Sequence, residues 1–231
     1  MSGARPRSPT RAQANALGGV ALVLWTALAW LSKETAEVPV FLKMAVAFGI
    51  AGLPLAHRIL IRGQAWPHAP FAFWALSLGG LFGYHLLFFL AVEHAGGGIA
   101  EVNLVNYLWP LLIVLLARRA TGGGSARLAV LAGVSGFVGT AFLVCDPTIF
   151  ARLGESLVGL GLAAGGAAVW ALYSVGIARF GRAPLASIGA ACALTAGLAL
   201  AMHLACGGFA SGTWLLAAGP RQWACLLLLG I

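Results

Sequence analysis

The stretch NLVNYLWPLL, from Asn103 to Leu112, places two asparagines, a tyrosine, a tryptophan and a proline inside an apolar segment that continues as IVLLARR. With its apolar neighbours the segment reaches the length of about 20 residues that a helix needs to cross a bilayer. Polar side chains and a helix breaker at membrane depth are costly unless protein or water satisfies the backbone. The stretch therefore predicts a membrane helix with a specialised centre.

The composition of the whole chain agrees with a membrane location. Of its 231 residues, 61% are hydrophobic and 9% are charged, and the mean hydropathy is +0.94. A soluble domain has about 25% charged residues, so this chain has too few polar groups to cover a surface that faces water. Its 32 glycines lack the three-residue period of collagen and suit the close approach of membrane helices.

Apolar segments of spanning length recur along the chain and predict an all-α integral membrane protein. The connections between them are short and hold the charges and turn formers, which leaves no room for a soluble domain. No segment alternates in polarity as the strands of a membrane barrel do. The predicted spans are residues 16–32, 38–56, 70–91, 97–117, 127–146, 156–178 and 184–206, with an eighth that begins near Trp214 or Pro220.

The basic residues predict how the chain is oriented in the cell membrane. If the N-terminus is cytoplasmic, most of the 14 Lys and Arg residues fall on the cytoplasmic side, as the positive-inside rule requires. The net charge of +8 then reflects topology and not nucleic-acid binding, because the basic residues form no single stripe. The predicted cytoplasmic residues are Arg5, Arg7, Arg11, Arg58, Arg62, Arg118, Arg119, Arg127, Arg179 and Arg182.

Two parts of the chain resemble each other in order, which predicts an internal repeat. Five predicted helices separate the copies, and since five is odd, the second copy enters the membrane upside down. Inverted repeats are typical of secondary transporters, whose substrate site lies near the midplane between the halves. We expect a cytoplasmic tail at 1–15, a first five-helix repeat at 16–150 and an inverted, incomplete second repeat at 151–231. The aligned pairs include Trp30 with Trp170, Pro39 with Pro184 and Trp74 with Trp223.

The first apolar segment has a second interpretation. A basic start, an apolar run and Ala27-Leu28-Ala29 also fit a cleavable signal peptide. The segment aligns with a later part of the chain, and we therefore expect it to remain as a transmembrane helix.

Several motifs of this chain resemble those of one transporter superfamily. They are ALVLWTALAW (21–30), AAVWALYSVGIAR (167–179), the fourth segment up to Pro110, and NLVNYLWPLL together with GYHLLFFLA (83–91). The sequence resembles the drug/metabolite transporter superfamily, within it the EamA-type families, and is most similar there to exporters of aromatic amino acids. The resemblance implies ten helices in two inverted five-helix repeats, of which about eight are present here. It also implies export of aromatic or neutral amino acids by alternating access.

The opening stretch places its polar residues on one side of a helix. At 100° per residue, Asn103, Asn106, Tyr107 and Pro110 fall within an arc of about 100°, whereas Trp109 points elsewhere. We expect this stripe to bind substrate in a central cavity, with Pro110 as a hinge. The alternative is a set of hydrogen bonds between helices together with a packing kink, which needs no ligand.

The third segment supplies two further candidates, and the repeat supplies a pair. A histidine at membrane depth marks a functional site by default, so Tyr84 and His85 are predicted to bind substrate. The alternative for His85 is a hydrogen bond to a neighbouring helix. Trp30 and Trp170 occupy matching repeat positions and are predicted to face the centre. Aromatic walls suit aromatic amino acids, although they also suit drug-like cations.

Two charged residues lie within apolar segments. Lys43 is expected to extend its ammonium group to the membrane interface, and Glu101 lies opposite the asparagine stripe on the helical wheel. A proton-coupling role for Glu101 or His85 stays open.

No pattern in the sequence predicts a cofactor, a metal site or a catalytic residue. The four cysteines are isolated, and no phosphate-binding loop is present. The expected partners are a small-molecule substrate and membrane lipid. The main alternative class, an integral membrane transferase, would need His, Asp and Glu clustered near one interface, and the few in this chain are scattered. A receptor or assembly subunit would not need the inverted repeat.

Overall fold

The structure is a computed structural model, and it describes residues 10–96, 98–121, 126–144, 149–181, 185–207 and 219–230. All regular secondary structure in these ranges is helical, and five helical stretches are long and apolar enough to cross a membrane. The protein is thus an all-α membrane protein, as predicted. Its helices are α1 Arg11–Glu34, α2 Val40–Arg62, α3 Phe71–Glu93, α4 Ile99–Asn106, α5 Trp109–Thr121, α6 Ala126–Val144, α7 Ile149–Ile177, α8 Leu185–Ala205 and α9 Pro220–Leu228.

Local signals in the sequence set several helix ends. Thr10 caps α1 in a capping box. The backbone N–H of Gln13 donates to the Thr10 hydroxyl, and the backbone N–H of Thr10 donates to the side-chain oxygen of Gln13. Gly63 ends α2 in the left-handed conformation, with φ 59°. At the end of α7 a short 3₁₀ turn, Ala178–Phe180, leads into the connection to α8.

Two predicted segments have different bounds in the structure. The fourth segment is not one continuous helix, since Tyr107 and Leu108 form a turn between α4 and α5. The sixth begins earlier than expected, because α7 starts at Ile149 and includes much of a stretch predicted to be a connection. Residues 1–9 of the predicted tail, Cys145 and Trp214 lie outside the described residues.

The described core lies mainly between two pairs of helices, α2 with α8 and α3 with α7. Buried side chains from α2, α3 and α8 form one apolar cluster, and aromatic residues of α7 pack against it. At one end of the bundle, an ion pair of 3.0 Å joins Glu34 at the end of α1 to Arg221 at the start of α9. The cluster consists of Met44, Phe48, Leu81, Tyr84, Phe88, Phe89, Val92, Ala191, Cys192 and Ala199.

Gly159 permits the contact between α7 and the end of α3. A Cβ at this position would lie 2.7 Å from the carbonyl oxygen of His94 and 2.9 Å from that of Ala91. Both obstacles are backbone atoms, so no side chain can rotate to make room. Glycine, which has no Cβ, is therefore required for α7 to reach this position against α3.

Gly159→Ala is expected to destabilise the protein by about 1–3 kcal/mol, the usual cost of overpacking a tight contact. The measurement is thermal unfolding of the purified protein in detergent. Gly161→Ala is the matched control, because Gly161 lies on the same helix with no atom within 4 Å of an added Cβ. Equal unfolding temperatures for the two variants would contradict the proposed contact.

Candidate functional site

Helix α3 presents Tyr84 and His85 toward the centre of the bundle. The Nδ1 atom of His85 lies 2.8 Å from the carbonyl oxygen of Leu81, and because a carbonyl only accepts, Nδ1 carries the proton. The hydrogen bond stays within α3, which differs from the bond to a neighbouring helix considered above. The His85 ring is further held edge-on against Phe48 and Tyr84, at centroid distances of 4.7 and 4.9 Å.

The end of α4 brings an amide group to Tyr84. The Nδ2 atom of Asn106 donates to the Tyr84 hydroxyl at 3.1 Å, and the Asn106 side chain is buried, with 4% of its surface exposed. Its other polar atom, Oδ1, has no hydrogen-bond partner among the residues that the structure describes. The Nδ2 group thus fixes the orientation of the side chain, and the Oδ1 atom remains available as an acceptor.

Aromatic residues of α3 and α7 pack around Tyr84, the partner of this amide. Trp170 on α7 contacts Tyr84 with ring centroids 4.8 Å apart, and Phe88 on α3 stacks with Tyr84 at 6.0 Å. Trp170 also meets His85 edge-on at 6.3 Å. The site therefore combines apolar ring faces with a few polar atoms, as small-molecule sites commonly do.

These side chains enclose a cavity of about 80 Å³, which we call the central cavity. Its described lining contains no Lys, Arg, Asp or Glu. A volume of 80 Å³ lies well below the 300–1,000 Å³ typical of pockets for drug-sized ligands, so a solute as large as tryptophan requires movement of the walls. The lining residues are Leu28, Tyr84, His85, Phe88, Asn103, Asn106, Tyr107, Trp109 and Trp170.

Six of the seven predicted substrate-binding residues line this one cavity: Tyr84, His85, Asn103, Asn106, Tyr107 and Trp170. The seventh, Trp30, does not line it, and half of its surface is exposed. Glu101 lies in the first turn of α4 and is also absent from the lining. Pro110 lines a separate cleft between α4, α5 and α6, together with Leu104, Tyr107 and Phe137.

The placement of Trp109 by the helical wheel was wrong. The wheel assumed one regular helix through the whole segment and placed Trp109 away from the Asn103 stripe, although Trp109 lies only about 60° from Asn106 on that wheel. In the structure, the turn at Tyr107 and Leu108 interrupts that helix, and Trp109 at the start of α5 lines the central cavity. Leu28 and Phe88 were also not predicted as lining residues, although Phe88 lies one helical turn beyond Tyr84.

The expectation for Lys43 was also wrong. Its side chain does not extend to the membrane interface, because only 1% of its surface is exposed. The ammonium lies 4.9 Å from the centroid of the Phe89 ring. Glu93 attracts this charge, but among the described residues no carboxylate forms an ion pair with it. Protein atoms, and not interfacial water, thus surround the charge.

The chain is similar to a curated protein and to a solved structure. No protein-family model matches the chain. The aromatic amino acid exporter YddG of Ancylobacter novellus is 34% identical over 230 residues, which cover 96% of this chain and 76% of that protein. A protein crystal structure that is 32% identical superposes with a TM-score of 0.71, over 96% of this chain and 75% of its own.

Tyr84→Phe is expected to destabilise the protein by about 1–3 kcal/mol, because it leaves the buried Asn106 Nδ2 without its acceptor. Thermal unfolding in detergent measures the effect. Tyr107→Phe is the control, since Tyr107 lines the same cavity but is 38% exposed, and a change within about 0.5 kcal/mol is expected there. A Tyr84→Phe protein as stable as this control would show that the hydrogen bond contributes nothing.

Lys43→Met is expected to stabilise the protein, because replacement of buried charges by apolar groups of similar size often gains about 1–4 kcal/mol. Lys33→Met, at an exposed position near the end of α1, is expected to change little. If Lys43→Met instead unfolds at a lower temperature than the unaltered protein, the contact with Phe89 and the attraction to Glu93 outweigh the cost of burial.

Proposed function

Because this chain belongs to the family of the aromatic amino acid exporter YddG, within the drug/metabolite transporter superfamily, we propose that it exports aromatic and other neutral amino acids. Membership of this family identifies the protein as a small-solute exporter with several membrane-spanning helices. It therefore argues against the alternative of a membrane transferase. The finer proposal concerns the substrate, the site and the mechanism. The central cavity is the proposed site, and alternating access is the proposed mechanism.

One observation carries the choice of substrate, namely the unpartnered Oδ1 atom of Asn106 at the wall of the central cavity. A buried acceptor without a donor costs free energy, and the ammonium group of an amino acid would supply the missing donor. Asn103 and Tyr107 offer further donors, which suit the carboxylate of the same molecule. The backbone of an amino acid thus complements the polar side of the cavity.

The aromatic side of the cavity suits the side chain of the substrate. Tyr84, Phe88 and Trp170 present ring faces and edges, and aromatic pairs gain about 0.5–1.5 kcal/mol beyond the burial of their area. The same rings would attract a drug-like cation. However, the described lining holds no carboxylate to balance a net positive charge, which favours a zwitterion.

The packing of the helices supports the alternating-access mechanism and the proposed repeats at 16–150 and 151–231. The second helix of each proposed repeat, α2 and α8, pack against each other. The first helix of each copy meets the third of the other, α1 with α9 and α7 with α3. Reciprocal pairing of this kind is expected when two copies are related by a twofold axis in the membrane plane.

The proposed orientation places the N-terminus in the cytoplasm of the cell. The charge pattern supports it, since Arg58 and Arg62 lie near the end of α2 and Arg179 lies just after α7, and these two ends share one face under this topology. Glu34 and Arg221 then lie together on the outer face, which agrees with their ion pair. Glu101 and His85 remain the candidate groups for proton coupling.

Asn106→Leu is expected to lower the rate of tryptophan efflux at least about tenfold, the effect of losing one hydrogen bond of about 1.4 kcal/mol. The assay uses proteoliposomes preloaded with labelled tryptophan, with and without a pH gradient. Tetraphenylphosphonium serves as the competing lipophilic cation in parallel vesicles.

Thr195→Val is the matched control for this assay. Thr195 is buried, like Asn106, but its hydroxyl donates to the Ala191 carbonyl within α8, and Thr195 is not among the described lining residues of the central cavity. We expect efflux close to that of the unaltered protein. Tryptophan that leaves the vesicles no faster than from protein-free ones, or a clear preference for the cation, would refute the proposed substrate.

A further inference from the structure

A second cavity lies along the same contact between α3 and α7. It has a volume of about 200 Å³, and we call it the α8-side cavity because Ile188 and Ala191 of α8 close one wall. It extends to Ala178 and Gly181, which are exposed residues where α7 ends. Its lining residues are Phe73, Ser77, Tyr173, Ile177, Ala178, Gly181, Ile188 and Ala191.

The two cavities are lined by matching faces of the same helices. On α3, Ser77 of the α8-side cavity and Tyr84 of the central cavity are seven residues apart, which places them on one face about 10 Å apart along the axis. On α7, Tyr173 and Trp170 are three residues apart and again share a face. The cavities are thus consecutive along one path and do not lie on opposite sides of the bundle.

Tyr173 lines the α8-side cavity and also contacts a residue that lines the central cavity. Its ring lies 5.3 Å from the Trp170 ring, and Trp170 in turn contacts Tyr84. On the α3 side, Tyr173 packs directly on Gly80, where an added Cβ would come closer than 3.0 Å to three carbons of the tyrosine. The absence of a side chain at Gly80 is what allows the ring to reach α3.

We propose that the two cavities are compartments of one solute path and that Tyr173, seated on Gly80, is the gate between them. The proposal rests on the proposed transport function. The central cavity is too small for an aromatic amino acid, and displacement of the Tyr173 ring joins it to the larger space. The solute then passes between Asn106 and the end of α7 along the α3–α7 contact.

The test measures access to the central cavity and requires no substrate. Asn103→Cys serves as the reporter, in a protein whose native cysteines are replaced by serine. A membrane-impermeant maleimide is applied to oriented membrane vesicles from the face that holds Gly181. With the ring in place, we expect slow labelling from this face.

Tyr173→Ala and Gly80→Ala are both expected to raise the labelling rate. The first removes the ring, and the second displaces it with a new Cβ. If the gate is open at most about 10% of the time, the labelling rate is at most about a tenth of the rate without a gate. Removal of the gate is therefore expected to increase the labelling rate about tenfold or more. Tyr173→Phe keeps the ring and is expected to label slowly.

Matched controls separate gating from a general loss of packing. Gly79→Ala adds the same Cβ one residue away, where no atom lies within 4 Å, and Leu172→Ala shortens a neighbouring exposed side chain; both are expected to label slowly. Unchanged labelling in Tyr173→Ala and Gly80→Ala overturns the proposal, and so does an equal increase in the controls. Because labelling needs no transport, a failed tryptophan assay with an intact gate refutes only the substrate.

Discussion

The close approach of α3 and α7 is the contact on which the rest of the described structure depends. Gly159 permits it at one end, against the backbone of His94, and Gly80 permits it further along, against Tyr173. In a bilayer, lipid is as apolar as the side chains, so close packing between helices replaces the hydrophobic effect as the stabilising force. The same contact brings Trp170 to Tyr84 and so forms one wall of the central cavity.

The break in the fourth segment supplies the opposite wall. Tyr107 and Leu108 leave the helix just after Asn106, and the new helix starts with Trp109. Asn106 before the break and Trp109 after it both line the central cavity. Irregular backbone at membrane depth is tolerated where protein or a cavity surrounds it, and this break borders two such spaces. The hydrogen bond from Asn106 to Tyr84 then ties α4 to α3 across the site.

The cost of burying charged groups also shapes the described structure. The described lining of the central cavity includes polar side chains but no charged ones, which suits a solute whose own charges cancel. The ion pair between Glu34 and Arg221 lies at the ends of helices, where both charges keep contact with water and the cost of desolvation is small. Lys43 is the exception, since its ammonium is buried against Phe89.

The sequence by itself determined the fold class, the approximate spans and most of the residues that meet at the cavity. Composition and hydropathy suffice for the first two, because a bilayer allows few backbone structures. The polar residues Asn103, Asn106, Tyr84 and His85 stood out because polar groups are costly in apolar segments. The family followed from short motifs, and the comparisons confirm it.

The surroundings of Trp109, Trp30 and Lys43 became known only from the packing of the helices. A helical wheel gives the angle between side chains but not the width of the cavity that they face, so it did not show that the cavity at Asn106 also reaches Trp109, three residues further on. A repeat alignment pairs positions but not surroundings, which is why Trp170 reaches the cavity while Trp30 is half exposed. Hydropathy describes an average environment, and the burial of Lys43 depends on which helices happen to pack around it. Side-chain direction is a property of contacts between helices, and a single sequence encodes those contacts only through the folded chain.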